Sequence, residues 1–95
     1  MISTHVLDTA QGRPRAGMKV SLYRGDELIA QRETNEDGRI PELADAPLEP
    51  GAYRLVFHVE GPFFQQVELT VELGDGHYHV PLLVSPYACT TYRGS

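Results

Sequence analysis

Four histidines in 95 residues is a high count, and their positions decide what chemistry they could do. His5 lies in the run Ile2-Ser3-Thr4-His5-Val6-Leu7-Asp8. Strand alternation places it on one face with Ser3 and Leu7. His77 and His79 are two apart in a second such run and share a face with Pro81 and Leu83. An imidazole near its reference pKa can take a proton from water at neutral pH. It then needs a partner that orients the substrate or meets the developing negative charge. Two arginines fit that need: Arg39, directly after Asn35-Glu36-Asp37-Gly38, and Arg93, in the final Tyr92-Arg93-Gly94-Ser95. A guanidinium presents a planar fork of donors to carbonyl or carboxylate oxygens. His5 and His79 are therefore candidate proton carriers, and Arg39 and Arg93 candidate stabilisers. His58 and His77 read as ordinary packed or solvated strand histidines.

Other chemistries fit less well. Zinc takes three or four ligands. The His77/His79 pair has no third ligand in sequence, and neither Cys-x-x-Cys nor His-Glu-x-x-His occurs. No metal and no other cofactor is expected. Cys89 is the only cysteine, and nothing near it marks an activated thiolate, so it reads as a small buried hydrophobe. Gly-x-Ser-x-Gly is absent, so serine-histidine-aspartate catalysis has no local signature.

The elements that must position these residues repeat every two residues, not every 3.6. Val67, Leu69, Val71 and Leu73 alternate with Glu68, Thr70 and Glu72, a half-buried strand with one wet face. Tyr53, Leu55 and Phe57 do the same, as do Met18, Val20 and Leu22. Turn signals interrupt at short intervals: Gly25-Asp26, Asn35 to Gly38, Pro50-Gly51, Gly61-Pro62 and Gly74-Asp75-Gly76. The pattern predicts strands over Ile2–Asp8, Met18–Arg24, Leu28–Thr34, Ala52–Glu60, Phe64–Leu73, His77–Ser85 and Thr90–Arg93, with a short one near Ile40. Helix has one candidate, Leu43 to Leu48, and Pro41, Pro47 and Pro50 crowd it. Short strands at this spacing imply an all-β two-sheet sandwich of seven to eight strands.

The length suggests one domain over residues 1–95 with a modest core. Net charge is −5, and the only lysine is Lys19, which argues against a nucleic-acid partner. No apolar stretch approaches the ~20 residues of a membrane span, and no leader pattern opens the chain. A single cysteine suits a reducing compartment. The expectation is a cytoplasmic protein without a membrane partner.

Two resemblances sharpen this. Gly12 to Tyr23, Thr34-Asn35-Glu36-Asp37-Gly38-Arg39 and Pro50-Gly51-Ala52-Tyr53-Arg54-Leu55 resemble prealbumin-like sandwiches in general, a signal of fold rather than function. More narrowly, three segments together resemble the 5-hydroxyisourate hydrolases of the transthyretin-like family. They are Ser3-Thr4-His5-Val6-Leu7-Asp8, His77-Tyr78-His79-Val80-Pro81-Leu82-Leu83-Val84-Ser85-Pro86-Tyr87, and the terminal Thr91-Tyr92-Arg93-Gly94-Ser95. The resemblance spans almost the whole chain. It implies a transthyretin-like sandwich and ring-opening hydrolysis of 5-hydroxyisourate in urate degradation. By motif, His5, Arg39, His79 and Ser95 correspond to catalytic positions. Arg39 and Tyr92 to Ser95 correspond to substrate-binding ones. Gly94 would allow close approach, and Ser95 would hold an arginine or histidine in place. The resemblance also implies a homotetramer, a dimer of dimers, with these residues at the dimer–dimer interface.

The chain departs from the family after Tyr53-Arg54-Leu55-Val56-Phe57. A short helix is usual there, but Val59 to Gln66 crosses directly, and Gln65 stands where a proline follows the two phenylalanines. Two other readings remain at this point: a non-catalytic small-ligand carrier on the transthyretin plan, and an inert structural sandwich module.

Overall fold

The computed structural model describes all residues from Met1 to Ser95. Nine strands and no helix make up the chain. In chain order they are β1 (Ile2–Asp8), β2 (Arg13–Pro14), β3 (Lys19–Arg24), β4 (Glu27–Glu33), β5 (Arg39–Ile40), β6 (Gly51–Phe57), β7 (Val67–Leu73), β8 (Tyr78–Ser85) and β9 (Ala88–Thr91). One sheet runs β2-β1-β8-β9, with β5 also paired to β1. The other runs β4-β3-β6-β7. The expected two-sheet sandwich is present.

The alternation in the sequence is the reason for this arrangement. Ile2 and Val6 of β1, Val20 and Leu22 of β3, Leu55 and Phe57 of β6, and Val80, Leu82 and Val84 of β8 all turn into one core. Burial of these side chains is the main force joining the two sheets. Leu43 and Ala44, in the proline-crowded segment, plug the same core without forming a helix.

Most pairings are antiparallel, but β1 and β8 run parallel. That pairing sets Ser3 opposite His79 and His5 opposite Pro81. The first and the penultimate strands thus lie side by side at the centre of one sheet.

Several boundaries differ from expectation. β7 begins at Val67 rather than Phe64, because Phe64 and Gln65 close a tight turn onto Gly61 and Glu60. β6 ends at Phe57, before Glu60 adopts φ 52°. β9 begins at Ala88 rather than Thr90, because Ser85 pairs with Ala88 around the two-residue turn Pro86-Tyr87. β2 was not expected, since it is two residues long and includes a proline. It pairs with the far end of β1 at Leu7 and Asp8. The direct crossing from Val59 to Gln66 is confirmed as a loop without helix.

Candidate functional site

The site lies on the outer face of the β2-β1-β8-β9 sheet. In β1, residues 2, 4 and 6 point inward, which turns Ser3 and His5 outward. In β8, Val80, Leu82 and Val84 point inward, which turns His79 outward. Parallel pairing in matched register then puts the two sets on the same face.

Arg39 arrives from the third side. Asn35 folds the preceding turn: its side-chain oxygen accepts from the backbone N–H of Asp37 at 2.9 Å and of Arg39 at 3.0 Å. Gly38 has φ 75°, and its carbonyl accepts from Val6 N–H at 2.7 Å. A Cβ there would stand 2.4 Å from the Val6 carbonyl oxygen, so only glycine lets the turn reach β1. Arg39 is thereby paired directly with His5 across the β1–β5 ladder. The molecule's salt bridges are Arg32–Asp45 and Arg54–Glu68, so the exposed Arg39 guanidinium carries no carboxylate partner.

Hydrogen bonds fix the ring nitrogens. His5 Nε2 lies 2.8 Å from the Asp37 carbonyl oxygen. A carbonyl only accepts, so His5 donates through Nε2–H and, when neutral, keeps Nδ1 unprotonated. His79 Nδ1 lies 2.8 Å from Ser3 Oγ, which leaves its Nε2 without a protein partner. His77 Nε2 reaches the same hydroxyl at 2.8 Å. His79 is held below the ordinary histidine pKa of 6.5, first by burial, then by the charges of Arg39, His5 and His77. Both effects favour the neutral imidazole, the form able to accept a proton.

The tail closes on His79. Gly94 N–H donates to the His79 carbonyl at 2.7 Å, and the two residues form a bridge. A Cβ on Gly94 would come within 2.6 Å of His79 Cδ2, so the main chain packs directly on the imidazole. Extending the β8–β9 register to this bridge places Tyr92 opposite Pro81, on the site face, where it is exposed. Arg93 does not join the histidines within the chain. The same register sets it opposite Val80, and its guanidinium lies over the Tyr78 ring, 4.4 Å from the centroid. Ser95 follows Gly94 and is exposed.

The remaining candidates lie elsewhere. His58 Nε2 donates to Ser21 Oγ at 3.0 Å, and that hydroxyl donates to Gln31, a satisfied polar cluster on the other sheet. Burial pushes the Cys89 thiol up, and the side chain packs against the core, which disfavours the thiolate. No three His, Cys, Asp or Glu side chains gather where they could hold a metal ion. Ser3 and His77 are the participants that sequence reasoning missed. Ser3 carried one signal, its shared face with His5. His77 reads in sequence as an ordinary packed or solvated histidine because its partner lies 74 residues away.

Residues 2–94 match the HIUase/Transthyretin family model. The chain belongs to this family. The 5-hydroxyisourate hydrolase of Pseudomonas aeruginosa is 45% identical over 114 aligned positions, which cover 99% of this chain and 90% of that protein. The structure of Klebsiella pneumoniae 5-hydroxyisourate hydrolase superposes with a TM-score of 0.94 at 36% identity, covering 99% of this chain and 97% of that one. Sea bream transthyretin superposes at 0.87 with 24% identity, covering 98% and 93%, which is a likeness of fold alone. The alignment to the Pseudomonas protein is longer than the 95 residues here, so part of that relative has no counterpart in this family member. The short loop between β6 and β7 accords with that.

Proposed function

We propose that the chain is a cytoplasmic hydrolase that opens the ring of 5-hydroxyisourate, giving 2-oxo-4-hydroxy-4-carboxy-5-ureidoimidazoline. The observation that carries this is the meeting of His5, Arg39, His79 and Gly94 on one uncovered sheet face, in a family whose similar members bear that hydrolase name.

The free Nε2 of His79 takes a proton from water as the water oxygen attacks the ring amide carbon. The carbonyl oxygen gains the negative charge of the tetrahedral adduct. Arg39, unpaired and beside His5, supplies the donors that stabilise it. The adduct collapses with cleavage of the carbon–nitrogen bond. The ring nitrogen leaves with the proton that His79 holds, so one water is consumed and the imidazole is restored. His5 donates through Nε2 to Asp37 and offers its open Nδ1 to the substrate. Tyr92 and Ser95 contact the substrate from the tail. Arg93 fixes that tail by resting on Tyr78, and from there the binding role expected of it is exerted through Gly94.

The site face has nothing over it in a single chain. We infer that copies assemble as a homotetramer that covers these faces and excludes water from the reaction. The experiment is the decay of freshly generated 5-hydroxyisourate, followed by absorbance. Wild type is expected to outpace the spontaneous reaction. His79→Ala should lose roughly 10²–10⁴-fold in kcat and Arg39→Ala roughly 10²–10³-fold. A wild-type rate equal to the spontaneous one overturns the reading, and ligand binding without turnover would make the protein a carrier instead.

A further inference from the structure

Ser3 Oγ stands 2.8 Å from His79 Nδ1 and 2.8 Å from His77 Nε2. A hydroxyl has one proton and two lone pairs, so it can donate to one of these nitrogens while accepting from the other. Ser3 is 7% exposed, which shields the junction from competing water. His77 is exposed, and its Nδ1 has no protein partner. The row is therefore a wire with one end at the reaction and the other in solvent. We propose that Ser3 and His77 are positioning residues that relay the proton of His79 to and from bulk water, so that one imidazole serves as base and then as acid. This inference rests on the hydrolase reading above.

The protons balance as follows. In the first state His79 Nδ1–H donates to Ser3 Oγ, Ser3 O–H donates to His77 Nε2, and His79 Nε2 is open. Attack of water delivers a proton to that Nε2. The Nδ1 proton then passes to Ser3, the Ser3 proton passes to His77 Nε2, and His77 releases its Nδ1 proton to solvent. In the second state all hydrogen bonds point the other way, and His79 is neutral with Nε2–H. It donates this proton to the departing ring nitrogen, while a proton from solvent re-enters at His77 and resets the row. Both states are neutral overall.

The surroundings favour such a discharge. The groups that face His79 are Arg39 from β5, His5 from β1 and His77 from the turn before β8. All three are basic, and no carboxylate side chain is among the charges acting on it. These neighbours repel an imidazolium, so a route that removes its proton relieves the repulsion.

The test uses Ser3→Ala, Ser3→Thr, His77→Gln and His77→Phe in the full chain, with kcat and KM across pH and the ¹⁵N imidazole spectrum of His79. His77→Gln keeps a hydrogen-bonding side chain beside Ser3 but cannot carry a proton through it. Ser3→Ala and both His77 variants should lose roughly ten- to a hundredfold in kcat with KM nearly unchanged. Ser3→Thr should recover much of the loss, and added free imidazole should partly rescue His77→Gln. Removing the basic His77 should also raise the pKa of His79, moving the acid limb of the kcat profile to higher pH. The Nδ1 signal of His79 should respond to Ser3→Ala, a readout that stands even if no substrate turns over. An active wild type with His77→Gln and Ser3→Ala unchanged in kcat overturns the relay and leaves the hydrolase reading intact. An inactive wild type with the coupled ¹⁵N response overturns the hydrolase reading and leaves the hydrogen-bonded row. A folded Ser3→Ala whose His79 spectrum does not change overturns the row itself.

Discussion

His79 carries the largest burden at the scale of single residues. Its pKa is lowered in the folded chain by burial and three basic neighbours. Between that lowered value and 6.5 the unfolded chain binds a proton that the folded chain does not, so stability rises with pH through this window. Below it the loss is complete. Urea denaturation should therefore show lower stability at acid pH than at neutral pH, and His79→Phe should flatten the difference. Gly94 makes a second residue-scale test. Gly94→Ala drives a methyl into the imidazole, which stands 2.6 Å from the new Cβ position. Activity should fall steeply while the melting temperature stays near that of wild type, because the tail carries no core side chain. His5, Arg39 and His79 were legible in the sequence because alternation and a turn motif each fix a face. Ser3 and His77 were not, because their meeting depends on the register between strands more than 70 residues apart. The direction of Arg93 was hidden for a related reason: it follows from the bridge between Gly94 and His79, which the tail sequence does not encode locally.

At the scale of elements, β8 serves both the core and the site. Its inward residues Val80, Leu82 and Val84 pack the sandwich, and its outward His79 meets the tail. Leu82 is fully buried, so Leu82→Ala should cost about 2–5 kcal/mol by chemical denaturation. Activity of the surviving folded fraction should fall too, since the same strand holds the imidazole. The tail behaves oppositely. Deleting residues 92–95 removes the hydrogen bond from Gly94 and the stacking of Arg93 on Tyr78, but no buried side chain. The circular dichroism spectrum should be preserved and hydrolysis lost. The long strands were readable because period-two patterning over seven residues fits a half-buried strand and not an amphipathic helix. β2 was unreadable because two residues have no period. They are ordered by Leu7 and Asp8 of β1 rather than by their own preference.

At the scale of the whole molecule, the sandwich leaves the site face of one sheet uncovered, with exposed Tyr92 and Arg39 on it. Light scattering is expected to give a mass four times the 10.6 kDa of one chain. A monomer with full activity would contradict this assembly. Dilution that dissociates the oligomer should lower specific activity. The two-sheet architecture was legible from patterning, whereas assembly depends on how surfaces meet and leaves little trace in one chain.

The parallel β1–β8 pair also sets a clock for biosynthesis. Ser3 leaves the ribosome well before its partners, which follow more than 70 residues later. During that interval β1 has no neighbour on its β8 side, and Ile2 and Val6 have no complete core to enter. The nascent chain is obliged to keep a sticky apolar strand waiting for its last partner. Such a high separation between contacting residues makes for slow folding. Competence should therefore appear late, only once β8 has emerged to pair with β1, and in one step.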